Sequence, residues 1–404
     1  MSITWPSRFF LLLIPSALGL FFFFSTHVRT PGVTLEAFGA SGGITVSHSL
    51  EDDSIPYDAY PPANILLVTS FFPLSKSKHT MREYENWLTR FLEPIATDIY
   101  FYAPAEMESL IRKCRGDLPI IINTTYTTPF DIPPLDGARN VYYKMQAQDR
   151  ERARHSPELY AVWAAKPYFL DEAVQSLARV GKVYDYAFWN DAGSFRFPHK
   201  YTNWPSPARV RSIWEEGSAL SGEKAEDLLF FPIAGLPHPS MKYWVQDHGP
   251  VDTEFSEGSF FGGSPRTVAW WRRTYYAYHD HYLHLGQFVG KDQTLINAIF
   301  LLFPSRIIAV WLDDPDAPGH KSLPLIEDGA LGNCGAEWFY YQFWLAQPAE
   351  QKAMHELWDT DSRWSWDWWR KRQECRVTRV SAMKDLLQRR FGHDWEPPLH
   401  TINT

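Results

Sequence analysis

VYDYAFWNDAGSFR, residues Val183 to Arg196, begins as a continuous apolar and aromatic run that lasts through Trp189. That length suits one strand of a sheet covered on both faces. The run stops at Asn190-Asp191-Ala192-Gly193, small turn-forming residues that take the chain off the strand's carboxyl end. Ligands of open α/β sheets sit in the crevice beyond those carboxyl ends. Asp191 therefore stands where a carboxylate holds a hard cation or a sugar hydroxyl. The competing reading is an Asp-Gly turn between two strands, with no ligand at all.

Outward from this stretch, strand and helix patterns alternate. Apolar runs predict strands at Ile65–Ser70, Asp98–Tyr102, Pro119–Thr125, Leu228–Ile233 and Arg306–Trp311. Helical spacing covers His79–Leu92, Ala105–Arg115 and Pro157–Val180, the last with a bend expected at Pro167. A further helix starts at Ser264-Pro265 and is closed by Gly290, and the next opens at Asp292-Gln293. This order predicts an α/β fold with a mostly parallel, right-handed crossover sheet flanked by helices. Beyond Cys334 the chain turns helical and rich in tryptophan, including Trp358, Trp364, Trp366, Trp368 and Trp369.

Composition narrows the function. At 404 residues, 45% hydrophobic and 21% charged, the chain is a folded globular protein rather than a disordered one. Its 16% aromatic content suits stacking on sugar rings or bases as well as core packing. A net charge of −8 without a long basic run argues against nucleic acid as a partner. Three cysteines, Cys114, Cys334 and Cys375, allow at most one disulfide.

Residues 9–25 begin with the uncharged block FFLLLIPSALGLFFFF and read as an uncleaved membrane anchor rather than a cleaved signal peptide. Its short, Phe-rich span suits the thinner membranes of the early secretory pathway. That predicts a single-pass type II protein of the Golgi or endoplasmic reticulum with a luminal globular part, secreted if the anchor is cut. The sequon Asn123-Thr124-Thr125 agrees with a luminal location. Residues 30–63, rich in Gly, Ser and Pro, read as a stem.

Several polar residues are candidates for a site, each with a plainer alternative. Lys166 and Arg196 offer positive charge to an anionic ligand, or are ordinary surface charges. Asp185, inside the expected strand, orients a ribose or base, or is a buried acid bonded to backbone. Glu257 with Gly262 and Gly263 grips a sugar through a hydrogen-bond acceptor and close backbone approach, or the glycine pair is only a tight turn. If the acceptor hydroxyl needs a general base, Asp292 or Glu257 supplies it; the plainer role of Asp292 is a helix cap. His279 and His281 lie on one helix two residues apart and point away from each other, so they cannot share a metal ion.

The ordered set LYAVWAAKPYF, YDYAFWNDAGSFR, EGSFFGG and GKDQTLIN resembles the WlaTC/HtrL-type (HtrL/YibB-like) glycosyltransferases over roughly residues 65 to 311. The resemblance implies a GT-A-like nucleotide-binding fold. It also implies a nucleotide-diphosphate sugar as donor and a glycan, lipid or protein hydroxyl as acceptor. It places Asp191 in the turn that in many GT-A enzymes reads Asp-x-Asp and binds Mn2+ or Mg2+ on the donor diphosphate. Here the second acid is replaced by Gly193, which puts metal dependence in doubt. Asn190, Gly193 and Arg196 fall with Lys166, Asp185, Gly262, Gly263 and Gln293 in the donor-binding set. Asp292-Gln293 resembles the Asp-Gln before a helix in glycogenin-like retaining transferases. On this reading 1–29 is tail and anchor, 30–63 stem, 64–334 the catalytic domain and 335–404 a helical extension packed on it. A non-catalytic sugar- or nucleotide-binding protein, or a glycoside hydrolase, are the alternatives.

Overall fold

Neighbouring residues along the first strand, β1 (Ile65–Ser70), enter opposite cores: Ile65 and Leu67 one, Leu66 and Val68 the other. A strand buried on both faces needs helices on both sides. The structure, a computed structural model, describes residues 63–317, 334–358, 375 and 379–404 and the backbone of 359–362, all within the unit Ser54–Thr404. The expected anchor at 9–25, the stem and the tryptophans at 364–369 lie outside the described residues. No helix among the described residues is long and apolar enough to cross a membrane.

The remaining strands are β2 (Asp98–Tyr102), β3 (Ile121–Asn123), β4 (Tyr186–Asn190), β5 (Leu229–Ile233), β6 (Phe260–Gly263), β7 (Ile307–Trp311) and β8 (Ser381–Ala382). They form one eight-stranded sheet in the order β3-β2-β1-β4-β6-β5-β7-β8. Pairings run parallel except where β6 sits between β4 and β5 and where β8 edges β7. The mostly parallel expectation holds, with an antiparallel strand inserted at the centre.

On one face lie α3 (Arg139–Met145), α4 (Pro157–Arg179), α6 (Pro265–His284), α7 (Asp292–Leu302) and α10 (Met383–Phe391). The other carries α1 (Met81–Leu92), α2 (Glu108–Arg115), α5 (Pro207–Ser221), the short α8 (Tyr341–Trp344) and α9 (Pro348–Ser362). Local chemistry sets several starts. Thr80 and Glu83 make a reciprocal capping box on α1, and Ser156, Ser206 and Ser264 each cap a helix with Pro at its first position.

The helix α4 carries Pro167 inside its span. Four expectations change. The central strand starts at Tyr186 rather than Val183, whose side chain is 71% exposed. Phe260–Gly263, whose glycine pair reads from sequence as a sugar-gripping backbone or a tight turn, is a strand, because its glycines let it pack between two others: a Cβ on Gly262 would lie 2.1 Å from the Ala187 carbonyl oxygen. Gly286, with φ of 71°, follows the end of α6 instead of Gly290. The C-terminal region is part of the sheet through β8 rather than only packed upon it. A disulfide joins Cys334 to Cys375, and Cys114 is a buried free thiol. The sequon's Asn123 lies in β3 and donates its side-chain amide to the Tyr100 hydroxyl, 3.1 Å away.

Candidate active site

The strand order runs outward from β1 through β2 to β3, then restarts at β4 on the other side of β1. Between β1 and β4 is therefore a topological switch point, where the loops leaving two parallel strands diverge and open a crevice. A cleft of about 390 Å³ lies there, lined by Ser70 and Phe71 after β1, Trp87 of α1, Trp163 and Lys166 of α4, and Trp189 and Asp191 of β4 and its turn. Its size falls within the range of small-molecule sites.

Its floor is an ion cluster. The Lys166 ammonium lies 2.8 Å from the Gly258 carbonyl oxygen, 3.0 Å from Asp292 Oδ2 and 3.2 Å from Asp191 Oδ1. An ammonium has three N–H donors, and here three oxygens surround it. Lys166 and Asp292 expose 4% and 7% of their side chains, whereas Asp191 keeps 35% toward the cleft.

Each partner is held by its own element. Asp191 follows β4; its amide bonds the Ser259 carbonyl at 2.8 Å, and its Oδ1 accepts the Trp189 indole N–H at 2.6 Å. Asn190, fully buried, stabilises the turn by accepting from the Ser194 hydroxyl and donating to the Asp191 carbonyl. Asp292 is the first residue of α7, so Lys291 rather than Asp292 takes the cap position, and the Gln293 amide donates to Asp292 Oδ1. An acid in that first turn is favoured by the helix dipole. The carbonyl of Gly258 is aimed by two side chains of the same helix: Gln293 donates to the Ser256 carbonyl, and Asn297 accepts the Ser256 amide. Gly258 must be glycine, since a Cβ would stand 2.8 Å from Asp292 Oδ2.

Burial by itself would lower the Lys166 pKa, but the charges of Asp191 and Asp292 outweigh it and hold the ammonium above its ordinary value. Asp191 is pushed up, chiefly by lost solvation and less by Asp292, while Lys166 and the Trp189 indole pull it back down. Protein crowds this carboxyl, yet its 35% opening to the cleft leaves it some water, which softens the rise. Glu257 is pushed well up, first by burial and then by the charge of Glu337, which favours the neutral acid.

The expected residues divide accordingly. Lys166, Asp191 and Asp292 converge, Gly193 and Arg196 line the same cleft, and Asn190 and Gln293 support it. The Arg196 guanidinium lies 4.7 Å over the Trp87 ring and 5.4 Å over Phe339. Asp185 does not take part: it precedes β4 at the amino end of the strand, opposite the cleft, where its carboxylate accepts the Asn64 amide at 2.8 Å. Gly262 and Gly263 serve strand packing, since a Cβ on Gly263 would meet the Leu228 carbonyl oxygen at 2.7 Å. Glu257 is 3% exposed and does not share the ion cluster; only its neighbour Gly258 does. His279 bonds Tyr142 and Asp280 inside the helical face. Trp87, Trp163, Phe71 and Asn297 went unassigned from sequence, although the α1 stripe and the GKDQTLIN segment contain two of them.

The donor set can be tested for a divalent ion. Two carboxylates and a carbonyl suit a hard cation, but the Lys166 ammonium stands at their centre. A divalent ion beside it would meet a positive charge in place of a ligand, so these residues do not fit a bound metal while Lys166 stays. No cluster of three or more metal-ligating His, Cys, Asp or Glu occurs among the described residues.

No family model and no curated protein matches the chain. Among solved structures it is similar to core-mannan synthase A (CmsA/Ktr4) from Aspergillus fumigatus in its Mn/GDP form, at 14% identity over 64% of this chain and 76% of that one, with TM-score 0.37. It is also similar to mouse xyloside xylosyltransferase 1 in its apo form, at 10% identity over 60% of this chain and 83% of that one, with TM-score 0.34.

Proposed function

We propose that the protein is a glycosyltransferase of the WlaTC/HtrL type that moves a sugar from a nucleotide-diphosphate donor to a glycan, lipid or protein hydroxyl. The observation that carries this reading is the Lys166–Asp191–Asp292 cluster on the floor of an aromatic-walled cleft at the β1–β4 switch point. Breaking the bond between sugar and diphosphate builds negative charge on the leaving phosphates, which fixed cations stabilise. Lys166 in the floor and Arg196 in the wall supply positive charge on the same cleft. Trp87 and Trp163 offer flat faces to a base or a sugar ring.

Among the acids, Asp191 is the one in contact with the cleft, so it is the group to bond the donor sugar or receive the acceptor proton. Asp292 anchors the ammonium. Glu257 is buried away from the ion cluster, and its burial favours the neutral acid. A glycoside hydrolase needs two carboxyls acting separately across the scissile bond, and here one acid meets the cleft while the second, Asp292, is buried against the same lysine. A disulfide between Cys334 and Cys375 suits an oxidising compartment and supports a luminal catalytic domain anchored through residues 9–25 in Golgi or endoplasmic reticulum.

Purified protein should hydrolyse or transfer from at least one nucleotide sugar. Asp191→Asn should lower that rate by about 100-fold while the melting temperature stays near wild type, because Lys166 keeps Asp292 and Gly258. Full activity in Asp191→Asn removes Asp191 from the mechanism. If a panel of nucleotide sugars binds without turnover, the protein is a non-catalytic binder, and if none binds, the proposal is lost.

A further inference from the structure

We infer that Lys166 is a built-in counter-cation occupying a latent divalent-metal site, so that a nucleoside diphosphate binds this cleft without a metal ion. The diphosphate clause rests on the function proposed above; the statement about the cation site does not. Asp191 Oδ1, Asp292 Oδ2 and the Gly258 carbonyl are hard oxygen donors, the kind that ligate magnesium, manganese or calcium. They come from three separate elements, a strand exit, a helix start and a loop, and converge on one point. That point is held by nitrogen at 2.8 to 3.2 Å.

The lysine is fixed there. It sits inside helix α4, its side chain is 4% exposed, its ammonium donates to the Gly258 carbonyl, and the two carboxylate oxygens lie within ion-pair distance of it. Asp292 Oδ2 is itself buried and has this ammonium as its neighbour. One cation therefore already balances part of the acid charge that a metal would otherwise balance. The missing second acid at Gly193 belongs to the same arrangement: its place is on the cleft wall, where a Cβ would come 3.3 Å from the Trp87 ring. Shortening Lys166 to Ala leaves the oxygens in place and vacates their centre.

The test uses manganese ion and the diphosphates UDP and GDP on the full chain, with two readouts. Electron paramagnetic resonance of free Mn2+ reports metal binding without nucleotide, and calorimetry reports diphosphate binding in EDTA and in manganese. Wild type should leave the Mn2+ signal unchanged and bind its preferred diphosphate equally, within about twofold, in both buffers. Lys166→Ala should bind Mn2+ stoichiometrically, lose about tenfold or more in diphosphate affinity in EDTA, and regain it with manganese. If Lys166→Ala does not fold, Lys166→Gln, which keeps a neutral donor, takes its place, and the wild-type arms decide regardless. Stoichiometric Mn2+ binding by wild type, or diphosphate binding only with manganese, overturns the inference while leaving the transferase reading standing. If neither diphosphate binds in either buffer, the transferase reading fails, and the Mn2+ arm alone judges the cation site.

Discussion

Two adjacent residues of one loop bury their polar groups in opposite ways. Gly258 turns its carbonyl to the Lys166 ammonium, where Asp191 and Asp292 complete a charged cluster. Glu257, the residue before it, is 3% exposed, its Oε2 has no hydrogen-bond partner, and the tyrosines Tyr340 and Tyr341 feel its charge. The first place holds ions that balance one another beside an opening to water. In the second, the carboxyl is held toward its neutral form by burial. Burial costs an ion dearly unless a partner offsets it, so a paired acid is suited to charge chemistry and an unpaired one is not.

Removing the lysine should break this contrast most severely. Lys166→Met leaves two carboxylates facing each other around an apolar stem, and the expected loss is about 3 kcal/mol, the low end for a broken buried pair, because Asp191 still reaches water. The loss should shrink as pH falls, since acids whose folded pKa is raised are most stable while protonated and lose stability as pH rises through that pKa. Wild type has the complementary signature. The raised Lys166 pKa gives stability that is complete below the ordinary lysine value and declines as pH climbs past it. Urea unfolding at pH 4, 7 and above 10 reads all three. A loss under about 1 kcal/mol, equal at pH 4 and 7, would mean that the ammonium is not compensating buried charge.

Much of this arrangement was legible beforehand. The apolar run before Asp191 and the abrupt turn after it locate a strand exit, because continuous burial and turn chemistry are both local signals. The helix start at Ser264-Pro265 was readable for the same reason, and the helical patterns from His79 and Pro157 fell within two residues of the observed starts. Asp185 misled because residue type says nothing about which end of a strand an acid occupies; the strand starts three residues later than expected, at Tyr186 instead of Val183, which leaves Asp185 before its amino end. The strand Phe260–Gly263 was hidden because two glycines depress strand propensity, and their purpose, close approach to the Ala187 and Leu228 carbonyls, exists only in the assembled sheet. The convergence of Lys166 with Asp292 joins residues 126 positions apart across three intervening strands, a distance that no local pattern encodes.

The unpaired acid gives the next largest effect. Glu257 has its folded pKa raised above the ordinary glutamate value, so its stability contribution is complete at low pH and declines as pH rises toward the folded pKa. Glu257→Gln keeps the shape without the titration. Its melting temperature should match wild type near pH 4 and exceed it at pH 7. The gain grows by about 1.4 kcal/mol for each pH unit between the unfolded and folded pKa. Thermal unfolding across that range is the measurement; a variant less stable than wild type at pH 7 would show that the ionised carboxylate has a partner.

Arg196 is the third kind of charge, exposed at the cleft and resting on aromatic faces. An exposed cation over a ring is worth about 0.5–1 kcal/mol, so Arg196→Ala should alter stability modestly and couple to Trp87→Ala by that amount in a double-mutant cycle, whereas Trp87→Ala by itself empties a buried ring site and should cost about 3 kcal/mol. Their effect on diphosphate affinity should be unequal in character. Losing the guanidinium removes a charge, so its penalty should fade as salt screens exposed electrostatics. Loss of the ring removes a stacking face, whose contribution of about 1–3 kcal/mol is insensitive to salt if a base lies on Trp87. Calorimetry at low and high ionic strength separates the two. Equal salt dependence for both variants would mean that Trp87 acts only by positioning Arg196, and the base would then have to stack elsewhere, with Trp163 on the same cleft the next face to vary.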